Sequence, residues 1–245
     1  MMDMELCRTE AIARNIGAVK DKIARSAERA GRSAGEITLL AATKTRGYDE
    51  IRAAIAAGIG AAGENRVQEL RDKCALGAYD GCPLHFIGPL QTNKIKYLIG
   101  NAAMIHSVDS ARLAEAISAL SARAGVVTDV LIEVNIGGEA SKSGVKPEEA
   151  EALVALAASL SSVEPRGLMA IPPVAHEPGA NRSVFAAMHQ LFIDIKGKTY
   201  DNKVNIDCLS MGMSGDFEDA IAEGATQVRV GTALFGARPA NRVNG

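Results

Sequence analysis

The sequence predicts an α/β protein built as a single (β/α)8 barrel, a TIM barrel, preceded by an N-terminal helix. Three observations carry that expectation. Eight short apolar strand candidates run along the chain, with helical patterns between most of them. Most of the strands are near-continuous apolar runs, as parallel strands covered on both faces must be. The length of 245 residues suits one such barrel, and 47% apolar composition fills a sizeable core. A doubly wound open sheet gives the same alternation and stands as the competing architecture.

Taken in order, residues 3–30 predict a helix. Leu6, Ile12, Ile16, Val19 and Ile23 recur near helical spacing, and Gly31 ends the run. The strand candidates follow at 37–44, 59–64, 84–88, 103–108, 129–136, 166–171, 204–211 and 226–231. Helical patterns fall at 48–57, 64–76, 110–124, 147–160 and 181–196, with a shorter one at 216–223. Gly58, Pro83, Gly100, Gly125, Pro147, Pro165 and Gly224 punctuate the joins. "DVLIEVNI" departs from the apolar runs by carrying Glu133. The alanine-rich stretches 52–57 and 150–158 read as helix faces rather than linkers. No internal boundary is visible, so residues 1–245 are expected to form one domain.

Composition narrows the function. Lys+Arg 27 against Asp+Glu 29 gives a net charge of −2 with no block of like charges, and there is no tryptophan. A nucleic-acid binder, which needs a basic footprint or stacking aromatics, is not expected. No apolar run approaches the roughly 18 residues of a membrane span. The opening "MMDMELCRTE" carries acids and no apolar h-region, so a cytoplasmic location is expected. Cys7, Cys74, Cys82 and Cys208 show no CxxC or metal-ligand spacing and read as ordinary thiols.

In a barrel the chemistry sits where the strands end, and the last two loops favour phosphate. The first strand candidate ends at Lys44, between Thr43 and Thr45. Such a lysine is either a solvated strand tip or a partly desolvated amine, whose lowered pKa lets it condense with an aldehyde. After the seventh strand, "MSGDFEDA" offers Ser214 as a helix N-cap, with the amides of Gly215 and Asp216 open to an anion. After the eighth, Gly231 admits a close backbone approach and Thr232 brings a hydroxyl. Strand eight closes beside strand one, so a phosphate held by Ser214, Gly231 and Thr232 would lie near Lys44. The combination points to a phosphorylated aldehyde.

Arg229 shares a strand face with Gly231. If it looks inward it either faces a pyridine nitrogen, which it would keep unprotonated, or pairs with an interior acid such as Glu133. Asn65 and Asn135 either orient a ring hydroxyl or satisfy loop backbone. Lys142 either reaches a ligand anion or stays solvated. His85, His106, His176 and His189 share no spacing, and His85, inside an apolar strand, reads as a satisfied core histidine. No Ser-His-Asp set, Walker loop or zinc motif is present.

The segments "LLAATKT", "GENRVQE", "HFIGPLQTNK", "EASKSGV", "RGLMAIP" and "LSMGMSGDFEDAIAEGATQVRVGTALFG" together resemble the pyridoxal phosphate homeostasis proteins, the YggS/PROSC-like family, over about residues 10–238. The resemblance implies the barrel of the alanine racemase N-terminal domain and binding of pyridoxal 5′-phosphate (PLP) as a Schiff base on Lys44. It places Ser214, Gly231 and Thr232 at the phosphate, Arg229 at the pyridine nitrogen, and Asn65 and Ser210 in the cofactor-binding set. Ala42-Thr43 replaces the family's commoner Val-Ser. Arg66 stands where tyrosine is expected and Gly215 where an acid is common, changes that touch lid or surface rather than the amine. Fold III racemases carry a further C-terminal β domain that supplies a tyrosine base, and the chain ends soon after "TALFG". The resemblance therefore implies a PLP carrier or buffer in vitamin B6 and amino-acid homeostasis. No efficient catalysis is expected. Apo-enzymes that need PLP are the expected recipients, and a monomer is the expected state. A PLP-dependent amino-acid racemase and a PLP-free Schiff-base aldolase are the alternatives.

Overall fold

The computed structural model describes residues 2–139, 142–173, 177, 179–198 and 205–237. Eight parallel strands close into a barrel in sequence order: β1 (Thr38–Ala42), β2 (Ala61–Glu64), β3 (Leu84–Phe86), β4 (Met104–Val108), β5 (Thr128–Glu133), β6 (Val163–Met169), β7 (Cys208–Ser210) and β8 (Gln227–Val230). β8 returns to β1 with Arg229 opposite Leu40 and Val230 opposite Ala41. Closure removes both sheet edges and decides against the open-sheet alternative. Around the barrel lie α1 (Met2–Arg29), α2 (Tyr48–Ala56), α3 (Val67–Ala75), α4 (Ala111–Ala124), α5 (Pro147–Ser159), α6 (Arg182–Lys196), α7 (Phe217–Ala222) and α8 (Thr232–Phe235).

Several boundaries differ from the sequence expectation, each for a local reason. β1 ends at Ala42 rather than at residue 44, because the chain turns at Thr45, where φ is 64°. The connection after β3, for which no helical pattern is assigned, contains a 3-10 helix at Thr92–Tyr97. β6 begins at Val163, ahead of the proline that reads as punctuation. Pro165 is tolerated because the β5–β6 register skips a residue there: Val130 faces Pro165 and Leu131 faces Gly167. At Gly167 (φ 149°) a Cβ would lie 1.9 Å from the Cys208 carbonyl oxygen, so only glycine fits. β7 is shorter than expected, and residue 204 of its expected span lies outside the described residues.

The apolar core fills the layer between strands and helices, with Leu39, Ala41, Phe86, Ile105, Val130, Val228 and Val230 meeting helix residues such as Ile51, Leu70, Ile117 and Phe185. The opposite strand faces point into the barrel. There Leu40, Ala61, Leu131 and Met169 are buried outside that cluster, together with His85, His106, Glu133, Ser210, Gln227 and Arg229. A (β/α)8 barrel filled this way has a polar interior beneath its mouth.

The N-terminal helix α1 has a structural reason. Ile12, Ile16, Val19, Ile23 and Ala27 recur at spacings of three and four and are buried. α1 packs against α2, α7 and α8 and so covers the β8–β1 seam, which the four-residue α8 is too short to shield. Asn15 Nδ2 donates to the Leu234 carbonyl (3.0 Å), fixing α8 to that cover.

Candidate functional site

Because β1, β2, β7 and β8 end side by side, the residues following them converge at the C-terminal mouth. A cavity of about 380 Å³ opens there, and Lys44, Asn65, Ser214, Arg229, Gly231 and Thr232 all line it. Ser210, the seventh predicted site residue, lies beneath as a fully buried partner of Arg229. Lys44 and Arg46 both reach the cavity from the turn after β1. Arg46 is 5% exposed, and its guanidinium donates to the carbonyls of Phe235 (3.3 Å) and Gly236 (2.8 Å). It thus ties the lysine turn to the segment after β8.

Ser214 is placed differently from its expected role. Asp216 holds the N-cap position of α7, and its Oδ1 accepts the Met213 N–H at 2.7 Å. The Asp216 amide itself donates to the Met213 carbonyl (3.1 Å), so it does not point at an anion. Ser214 instead turns toward β8, where its Oγ accepts from the N–H groups of Gly231 (3.1 Å) and Ala233 (3.3 Å). The hydroxyl therefore marks a spot where two backbone amides already converge on an oxygen. Gly231 supplies one of those amides and Thr232 stands exposed beside it.

Arg229 looks inward, but its direct partners are not Glu133. Nη1 donates to Ser210 Oγ and to the Ser210 carbonyl, both at 2.8 Å, and Nη2 donates to the Ala170 carbonyl at 2.8 Å. Burial lowers its pKa to about 10, against the pull of Glu133 and Asp216, so it stays cationic at neutral pH. Burial also pushes the Glu133 carboxyl up to about 7, with Asp109 adding to the rise and Arg229 opposing it. Asn65 has its Oδ1 buried without a hydrogen-bond partner. That oxygen does not satisfy loop backbone and is open to a donor in the cavity.

Of the two weaker candidates, Asn135 bonds loop backbone as one of its readings has it, and Lys142 is neither solvated nor in the main cavity. Asn135 Nδ2 donates to the Glu139 carbonyl (2.9 Å), bracing its own loop. Lys142 Nζ pairs with Glu139 (2.6 Å) and donates to the Pro172 carbonyl (2.8 Å). It lines a smaller neighbouring cavity of about 110 Å³ together with Glu133. His176 lies outside the described residues.

Sequence reasoning missed a polar chain across the barrel. Ser210 Oγ, which accepts from Arg229, also shares a hydrogen bond with His106 Nδ1 (3.3 Å). His106 Nε2 in turn shares a hydrogen bond with His85 Nδ1 (2.9 Å). Burial lowers the His85 pKa to about 4 and pushes His106 well below the usual value, with His85 and Arg229 adding to the latter effect. Both rings are neutral at pH 7. The two histidines are 21 positions apart; the available signal was only that each is polar within an apolar strand. Among the described residues no helix is long and apolar enough to cross a membrane, and no cluster of three metal-ligating side chains occurs.

Comparison with known proteins gives concordant matches. The family described as alanine racemase, N-terminal domain, matches residues 10–239. The pyridoxal phosphate homeostasis protein of Aquifex aeolicus is 45% identical over 221 residues, covering 90% of this chain and 95% of that one. A crystal structure of an unknown protein from Bifidobacterium adolescentis is 41% identical with a TM-score of 0.86, covering 94% of this chain and 96% of the other. PipY of Synechococcus elongatus, in a structure with PLP bound, is 30% identical with a TM-score of 0.78, covering 92% of this chain and all (100%) of that one.

Proposed function

The chain belongs to the pyridoxal phosphate homeostasis family, on the barrel of the alanine racemase N-terminal domain, and from that premise we propose that it binds PLP covalently through Lys44 and serves as a carrier or buffer of the cofactor. The observation that carries this reading is the convergence of Lys44, Arg229 and the Ser214–Gly231 amide cluster on one cavity. The cavity fits the group chemically. The guanidinium groups of Arg46 and Arg229 line it, which suits a ligand with an anionic tail. The unpartnered Asn65 Oδ1 awaits a donor such as a ring hydroxyl.

When bound, PLP supplies a reactive aldehyde on an electron-withdrawing ring. Lys44 Nζ is the amine that would condense with that aldehyde, with loss of water. The amides of Gly231 and Ala233, with the Thr232 hydroxyl, hold the phosphate, while Ser214 shares or yields its place among them. Arg229, fixed by Ser210 and Ala170 and able only to donate, would leave a pyridine nitrogen that faced it unprotonated. That weakens the ring as an electron sink and favours holding the cofactor over using it. The protein acts as a monomer in the cytoplasm and passes PLP to apo-enzymes that require it, without efficient turnover of its own.

Adding PLP to the purified protein tests the reading. A visible absorption band is expected with the native chain and absent with Lys44→Ala, whose circular dichroism remains that of the folded barrel. A band of equal strength in the variant would overturn Lys44 as the binding amine. Exchange of solvent deuterium at the α-carbon of added amino acids at ordinary enzyme rates, on the order of 1–10³ per second, would overturn the carrier role in favour of a racemase.

A further inference from the structure

The turn that carries Lys44 is held by a partly buried ion network on β2 and α3. Residues 43–46 form a β-turn closed by the Arg46 N–H donating to the Thr43 carbonyl (3.0 Å). Its third residue, Thr45, has φ 64°, the sole positive φ outside glycine among the described residues. A positive φ at that turn position ordinarily calls for glycine or asparagine, and a β-branched threonine is strained there.

Something must hold Thr45 in place, and the network supplies it. The Thr45 N–H donates to Glu69 Oε2 at 2.7 Å. Lys73 Nζ binds that same oxygen (3.1 Å), Glu64 Oε1 (2.6 Å) and the Thr43 carbonyl (3.0 Å). Glu64, with no exposed surface, also accepts from the hydroxyls of Thr43 (2.8 Å) and Tyr79 (2.7 Å). The residues on both sides of Lys44 are thus bonded to one carboxylate–ammonium–carboxylate bridge, and charged bonds of this kind are the strong ones.

We propose that Glu69 is a positioning residue for the Lys44 amine: its carboxylate, anchored by Lys73, holds Thr45 in the left-handed region, and the resulting turn directs Lys44 into the cavity. This deepens the proposed function and rests on Lys44 as the binding amine. Glu69 itself lies outside the cavity. It acts only through the backbone of the turn.

The experiment has a ligand-free arm and a PLP arm. In the ligand-free arm, amide hydrogen exchange at Thr45 is measured in the native chain, Glu69→Gln and Glu69→Ala. Exchange is expected to accelerate roughly tenfold or more in Glu69→Ala, with Glu69→Gln between, since its amide oxygen still accepts but no longer pairs with Lys73. In the PLP arm, the visible band is followed in time after mixing. Glu69→Ala should form the adduct roughly 10–100-fold more slowly. The double variant Thr45→Gly/Glu69→Ala should recover most of that rate, because glycine takes a positive φ unaided. A structural defect unrelated to the turn would not be rescued by glycine. Unchanged Thr45 exchange, unchanged adduct kinetics in Glu69→Ala, or failure of glycine to rescue would each overturn the proposal. If the native chain forms no adduct at Lys44, the Lys44 reading fails instead, while Thr45 exchange still judges whether Glu69 holds the turn. Should Glu69→Ala not fold, the Glu69→Gln comparison decides on the same two readouts.

Discussion

The sequence context of Ser214 suggests a helix N-cap beside an anion; in the structure it lines the cavity but turns toward β8 instead of capping α7. Its hydroxyl gathers the amides of Gly231 and Ala233, so Ser214→Ala removes one polar group while leaving two donors. PLP retention should weaken by less than about tenfold, in line with one neutral hydrogen bond, as read from the dissociation constant. An unchanged constant counts against a phosphate at this place. That Lys44, Arg229, Gly231 and Thr232 share a cavity was legible, because a barrel brings the ends of β1 and β8 together at its mouth. The His85–His106–Ser210 chain was not, because parallel register, not local spacing, brings its members together. That chain has a pH consequence. His85 and His106 have depressed pKa values from burial, so the unfolded chain takes up protons that the folded one refuses. Their contribution to stability is complete above the unfolded value near 6.5. It is lost as pH falls from there toward about 4, the folded value of His85. Denaturant midpoints measured across that window should drop more steeply for the native chain than for His85→Asn; parallel curves would contradict the assignment.

Among the elements, α1 shows how sequence periodicity turns into architecture. Its apolar spacing announced a one-sided helix, but not what it covers. The answer lies at the other end of the chain, where α8 is too short to close the helix layer. Ile16 has no exposed surface in this contact. Ile16→Ala should therefore cost about 2–5 kcal/mol by the usual scale for a buried aliphatic residue, measured as a shift in the denaturant midpoint at constant slope. A cost below about 0.5 kcal/mol, as for surface sites, would mean that α1 is not part of the cooperative unit. The boundaries of β6 and the 3-10 helix at Thr92–Tyr97 escaped the sequence because each depends on tertiary context. Pro165 is harmless only at a register skip, and a short 3-10 segment has too few residues to display a period.

At the scale of the whole molecule, the barrel separates two kinds of burial. Apolar residues fill the layer under the helices, while the interior beneath the mouth holds Arg229, Glu133, His106 and Ser210. The apolar runs and their alternation with helices pointed to the barrel but fit an open doubly wound sheet as well; the β8–β1 pairing decides for closure. The polar interior was visible only in part, through Glu133 and Arg229 standing out of otherwise apolar strands. Cavity and interior meet at Ser210, whose buried hydroxyl bonds both Arg229 at the cavity and His106 in the interior. The account as a whole depends on a single covalent attachment. Borohydride reduction of the PLP-loaded protein, followed by mass mapping of the modified peptide, tests it most directly. The account predicts one pyridoxyl group on Lys44; equal or greater labelling of another lysine, Lys142 being the first to inspect, or no label at all, would contradict it.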